Sequence, residues 1–249
     1  MITNWIIMMA TCMMGLSGGE NPQTNPKDKQ QEKEMDFSEV IGQEEAKQRL
    51  LKMAADKHVP HALLFCGPYG SGKMALAMAF ASYLLETSSA SPESTKAMLK
   101  KWEHPDLHFT YPTIKLPNTS SEYQPISSDF AKEWHKMIME GTYFNIRKWM
   151  NEMGAPTQQA IITGAESDNI SRQLALKSSQ GGYKVSIIWL PERMNQTSAN
   201  KILKLLEEPT EGTVFLMVSE EPEKLLETIV SRTQRIDVKR IDDASRIKA

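Results

Sequence analysis

The chain has 249 residues, enough for one medium-sized domain or one domain with the start of another. Apolar residues make up 40% and charged ones 24%, as in an ordinary globular protein, and a net charge of −2 argues against a dominant, sequence-blind surface for nucleic acid. Its two cysteines, Cys12 and Cys66, stand far apart without a CxxC or histidine pairing, which argues against a disulfide framework or a structural zinc site.

Residues 1–35 differ in character from the rest. Positions 5–16 are mostly apolar, and 17–34 are rich in Gly, Asn, Gln, Lys and Glu. One reading is a secretory or lipid-anchored signal ending near Cys12. Against it, the first ten residues carry no Lys or Arg, and the apolar run is too short to span a bilayer. The expectation is a non-structural or disordered leader, with the domain opening near Met35-Asp36-Phe37 and running over 36–238.

The segment 37–44 leads into a helix of about 15 residues, in which Leu50, Leu51, Ala54 and Ala55 recur at helical spacing. Pro60 ends it, and His61 is given no chemistry. The apolar run 61–66 reads as a buried strand with Cys66 as a small core residue. Gly67-Pro68-Tyr69-Gly70-Ser71-Gly72-Lys73-Met74 follows, and then an Ala- and Leu-rich helix reaching Glu86. Residues 87–93 have loop composition and precede a helical stretch to Trp102. His104-Pro105-Asp106 introduces a strand over 107–111, and 112–125 reads as a long surface loop. Residues 129–153 form one helical pattern in which Phe130, Trp134, Met137, Ile138, Phe144, Ile146 and Trp149 recur. Core packing is the preferred reading of these aromatics; Trp134 and Trp149 facing a partner is the alternative. A helix is predicted over 167–178 and a second strong strand over 183–190. Ala199, Ile202, Leu203, Leu205 and Leu206 mark a further helix that closes at Glu207-Glu208-Pro209. Strands follow over 213–219 and 234–238. This alternation predicts an α/β domain with a mostly parallel five-stranded sheet flanked by helices, and ligands at the carboxyl ends of its strands.

Strand, glycine-rich loop and helix in that order is the setting in which GxxxxGK cradles phosphate. Gly67, Gly70 and Gly72 would let the backbone approach an anion at the helix N-terminus, and Lys73 would supply a point charge. Met74, however, stands where Ser or Thr should hold Mg²⁺, and a thioether is no ligand for a hard cation. A hydrolase of this type also needs an acidic pair at the end of a second buried strand. That strand ends Ile187-Ile188-Trp189-Leu190, so Trp189 and Leu190 occupy the acids' places, with Glu192 as the nearest substitute. Losing the hydroxyl and both acids removes charge stabilisation and water activation together, and no hydrolysis in cis is expected.

Ile41-Gly42-Gln43-Glu44, His61-Ala62-Leu63-Leu64-Phe65, GPYGSGK, His104-Pro105-Asp106, Tyr183-Lys184-Val185, the run Asn200 through Pro209 with its LLEEP, and Ser231-Arg232-Thr233 come in an order that resembles the bacterial clamp-loader family of AAA+ proteins. Within it the chain is most similar to the delta-prime subunits of DNA polymerase III, over about Met35 to Ile236. The resemblance implies a subunit that does not turn over ATP. Such subunits join ATPase subunits and delta in a ring that loads the sliding clamp on primed DNA, as accessories of the polymerase holoenzyme.

The family's Ser-Arg-Cys motif presents an arginine finger to ATP in a neighbouring subunit; carried over, that residue is Arg232. No cofactor is then required of this chain, nucleotide or phosphate binding at the loop stays open, and the location is cytoplasmic with no membrane role. Three departures stand out. Thr233 replaces the motif cysteine, and residues 87–103 lack the cysteines of the zinc module found in many relatives, so no zinc is expected. The helical lid would begin at 239–249, with the collar beyond it truncated. The rival reading is an active AAA+ ATPase with an unusual loop.

Overall fold

The computed structural model describes residues 36–115 and 119–241. The expectations for 1–35, Cys12 among them, and for most of the lid lie outside those residues.

Five strands form one all-parallel sheet: β1 Ala62–Cys66, β2 Leu107–Thr110, β3 Lys184–Trp189, β4 Thr213–Ser219 and β5 Gln234–Asp237. Their order across the sheet is β2-β3-β4-β1-β5, and the five-stranded parallel sheet flanked by helices agrees with the expectation. Parallel strands need crossovers, and the helices that make them cover both faces. The period-2 alternation of a strand is visible in the core. Leu63 and Phe65 point to one side, among Leu76, Phe80, Trp134 and Trp149. Ala62, Leu64 and Cys66 point to the other, among Ile170, Leu174, Ile202 and Leu206.

Helix α1 spans Glu44–Ala55 and α2 spans Lys73–Ser88. Helix α2 is apolar all round, and its burial on nearly every face follows from that composition. A short helix α3, Pro92–Leu99, takes its first turn from a proline at a position where the missing N–H costs nothing. The single helix expected over 129–153 is two. Helix α4, Ala131–Glu140, stops at Gly141, and α5, Ile146–Glu152, starts anew with Asn145 as its cap, Oδ1 accepting from Lys148 N at 2.7 Å. Trp134 and Trp149 are both buried, in agreement with core packing rather than a partner-facing role. Helix α6 covers Gly164–Ala175, opening three residues earlier than expected because Thr163 caps it. Helix α7 is Gln196–Glu207, and a four-residue helix α8, Glu227–Val230, was not anticipated. Among the described residues no helix is long and apolar enough to cross a membrane.

Buried polar groups tie the loops to this frame. The Asp106 carboxylate accepts hydrogen bonds from Ser178 Oγ (3.0 Å), Ser179 N (2.9 Å) and Gln180 N (3.1 Å), pinning the chain between α6 and β3. Lys184 Nζ donates to the carbonyls of Leu174 and Leu176 at the end of α6. Glu166, almost fully buried on α6, accepts from Thr110 Oγ1 at 3.0 Å and Ser127 N at 2.7 Å, joining the end of β2 to the turn before α4.

Burial holds the Glu166 carboxyl above the ordinary carboxylate range, and the bonds from Ser127 and Thr110 oppose that rise. The folded pKa therefore exceeds the unfolded one, so this group's contribution to stability falls as pH rises out of the ordinary carboxyl range. In E166Q the amide can donate to Thr110 Oγ1 and accept from Ser127 N. The gain in stability of E166Q over the parent should be larger near pH 7 than near pH 4.5, as read from urea midpoints; parallel pH profiles would contradict this.

Candidate functional site

Strand β1 runs straight into the glycine loop, and geometry explains its composition. A Cβ at Gly67 would lie 2.1 Å from the Val238 carbonyl oxygen, so only glycine lets the loop pass beneath the exit of β5. Val238 N donates to Cys66 O at 2.7 Å and fixes that approach. Gly70 and Gly72 have φ of 75° and 83°, the left-handed region glycine enters without penalty. Gln43 clamps the arrangement: its Nε2 donates to Ser71 O (3.1 Å) and Lys239 O (2.6 Å), and its Oε1 accepts from Lys239 N.

Lys73 opens α2 and is only 4% exposed. Its Nζ does not reach into solvent; it donates to Gly67 O at 2.8 Å and Pro68 O at 2.7 Å, the carbonyls of its own loop. Burial lowers its pKa, with the Glu220 and Glu192 carboxylates opposing the fall. Met74 turns into the apolar core. Aromatic side chains from the segment between α4 and α5 border the loop. Gly72 packs under the Tyr143 ring, close enough that a Cβ there would be 3.2 Å from it, and Tyr143 Oη accepts from Ile41 N at 3.0 Å. On the loop's outer side, Tyr69 Oη accepts from Asn145 Nδ2 at 2.9 Å.

Trp189 and Leu190 lie at the carboxyl end of β3, as the sequence places them, and both are 2% exposed. The Trp189 ring packs edge-on against Phe144 at 5.1 Å and tilted against Trp134 at 5.5 Å. Leu190 adopts left-handed angles, φ 55° and ψ 58°, sparsely populated by branched residues, and its N–H donates to Val218 O. The space left between the loop and these side chains is about 60 Å³, bounded by Gly72, Lys73, Tyr143, Phe144, Trp189 and Glu220. Small-molecule sites run from about 300 to 1,000 Å³. Glu192 is committed elsewhere: its Oε1 accepts from Glu220 N (2.9 Å) and Glu221 N (3.2 Å), capping the turn after β4. Burial raises the Glu220 carboxyl, and Lys73 opposes the rise.

Arg232 is not part of this constellation. It follows α8 and precedes β5, whose Gln234 stands opposite Leu63 near the start of β1. The glycine loop leaves the other end of β1, about 13 Å farther along the strand direction. The Arg232 guanidinium bonds to Glu207 Oε1 at 2.8 Å through Nη2 and donates to Thr228 O at 2.9 Å through Nη1. Among the described residues no three His, Cys, Asp or Glu side chains cluster so as to hold a metal. Sequence reasoning missed Tyr143, Phe144 and Glu207. Gly141 signalled the chain break that delivers the first two; only the fold brings Glu207 to Arg232.

Residues 42–242 match the family described as DNA polymerase III, delta subunit. The chain belongs to this family. DNA polymerase III subunit delta' of Bacillus subtilis (strain 168) is 28% identical over 193 residues, covering 76% of this chain and 45% of that protein. DNA polymerase III subunit tau of the same organism is 29% identical over 206 residues, 82% of this chain and 29% of the relative. The delta' subunit of Pseudomonas aeruginosa is 30% identical over 177 residues, 69% and 41% of the two chains. The chain spans less than half the length of each. Identity to delta' and to tau is nearly equal.

The loop geometry makes a graded prediction. Gly67→Ala drives a Cβ into backbone at 2.1 Å, whereas a Cβ at Gly70 meets nothing within 4 Å and carries only the left-handed strain of about 1–2 kcal/mol. Unfolding by urea should show G67A losing clearly more stability than G70A. Equal losses would contradict the close approach of Val238 to the loop.

Proposed function

We propose that this chain is a delta-prime-like, non-hydrolysing subunit of a DNA polymerase III clamp loader, and that Arg232 serves as an arginine finger for ATP bound in a neighbouring subunit. One observation carries the first half. The Trp189 ring, with Phe144 and Tyr143, borders the glycine loop and leaves about 60 Å³ between them, too little for a nucleotide. Lys73 turns two of its three donors to Gly67 and Pro68, and Met74 offers no hydroxyl. Nucleotide with Mg²⁺ does not fit these residues as they stand, so the loop keeps its shape as a structural corner between β1 and α2.

The second half is supported by placement. Arg232 and the loop stand at opposite ends of adjacent parallel strands, so the guanidinium is badly placed to serve its own loop. It is well placed to serve a subunit docked at the other end. Its side chain is 37% exposed, and a guanidinium stays charged and meets phosphate oxygens bidentately. The partners are then the ATPase subunits and delta, with the sliding clamp and primed DNA engaged through the assembled ring. The rival, an ATPase with an unusual loop, draws on the intact glycines and Lys73.

Two measurements decide. The protein alone should hydrolyse no ATP above background; sustained turnover would favour the rival. In the reconstituted complex, R232A should slow hydrolysis at the adjoining site by a factor on the order of 10³, the scale of other arginine fingers. Unchanged turnover and clamp loading would remove the finger assignment.

A further inference from the structure

Glu207 closes helix α7, and a carboxylate in the last turn of a helix faces the negative end of the peptide dipoles. Lys204 stands in the same last turn, and the Arg232 guanidinium lies 2.8 Å from Glu207 Oε1. The other end of the same guanidinium donates to Thr228 O at 2.9 Å, a carbonyl of α8, with Ser231 Oγ at 3.5 Å from the same nitrogen. One planar group thus ties together the ends of two helices. The two helices are packed together: Ala199, Ile202 and Leu206 of α7 share one buried cluster with Ile229 of α8. The core therefore fixes the separation of the two backbone segments from which the carboxylate and the guanidinium reach each other.

We infer that Glu207 is a positioning residue for Arg232, holding the guanidinium in one rotamer with part of its donor set turned outward. The inference rests on the reading of Arg232 as a finger toward a neighbour's phosphates. A guanidinium has five N–H donors, and the contacts to Glu207, Thr228 and Ser231 use at most three of them. The remaining donors are free to meet two phosphate oxygens. A long side chain that is already held loses less conformational freedom when it meets its ligand. Glu207, in the Leu-Leu-Glu-Glu-Pro run, and Arg232 then form one device, assembled across α7 and α8.

The test uses the reconstituted clamp-loader complex carrying the complete protein, with single-turnover ATP hydrolysis measured over a range of ATP concentrations. E207A should lower the rate constant on the order of fivefold with the ATP concentration at half-maximal rate unchanged, since nucleotide is bound by the neighbour. E207D, which keeps the charge on a shorter arm, should recover part of the loss, and E207A added to R232A should slow the reaction no further than R232A alone. Unfolding midpoints of each variant, measured on the isolated protein, exclude a loss of fold as the cause. R232A slow with E207A at parental speed would overturn the positioning role and leave the finger standing. R232A at parental speed would overturn the finger and, with it, this inference. A loss in E207A that adds in full to that of R232A would show that Glu207 acts by another route, and would also overturn it.

Discussion

The indole of Trp189 is the element on which the rest of the site depends. In a fully buried parallel sheet, the carboxyl end of the second strand is where a P-loop hydrolase keeps its acids, wet and charged. Here that position carries a large apolar ring, and the neighbourhood has adapted to bury it. Phe144 and Trp134 close on its two sides, and Trp134 in turn stacks on Tyr111 at 4.0 Å and meets Trp149 at 5.3 Å. Aromatic pairs of this kind stabilise by about 0.5–1.5 kcal/mol each beyond their area. The segment between α4 and α5 supplies Phe144 to this cluster and sets Tyr143 beside Gly72. Filling the site is thus continuous with packing the core.

That continuity explains why the remaining parts of the loop look intact. Gly67 is required by the exit of β5, Gly72 by the start of α2 and the Tyr143 ring, and Gln43 by the bonds that close the corner. These demands are structural and do not depend on a nucleotide. Lys73 illustrates the same point from electrostatics. Its ammonium is held by two loop carbonyls and by the fields of Glu220 and Glu192, a self-contained arrangement. On the proposed reading, chemistry has moved to the opposite end of the sheet, where Arg232 sits at the surface on two helix ends.

Much of this is legible in the sequence, and unevenly so. All five strands and their parallel character follow from short apolar runs alternating with helical patterns, because a sheet buried on both faces leaves a strong local signature. The readings of Met74, Trp189 and Leu190 are equally local, since each is made against a spacing. The break at Gly141 was overridden by the aromatic periodicity on either side of it, which fits a continuous helix just as well. The covering of the loop by Tyr143 and Phe144, and the pairing of Glu207 with Arg232, are contacts across long stretches of chain. No periodicity encodes them; only the folded topology brings those residues together.

The most direct test of the account compares two single changes in the same assembled complex, R232A and K73M, by single-turnover ATP hydrolysis. The account predicts that R232A slows the reaction severely while K73M, at a loop that handles no nucleotide, leaves the rate as it was. Loss of rate in K73M with R232A unimpaired would contradict it.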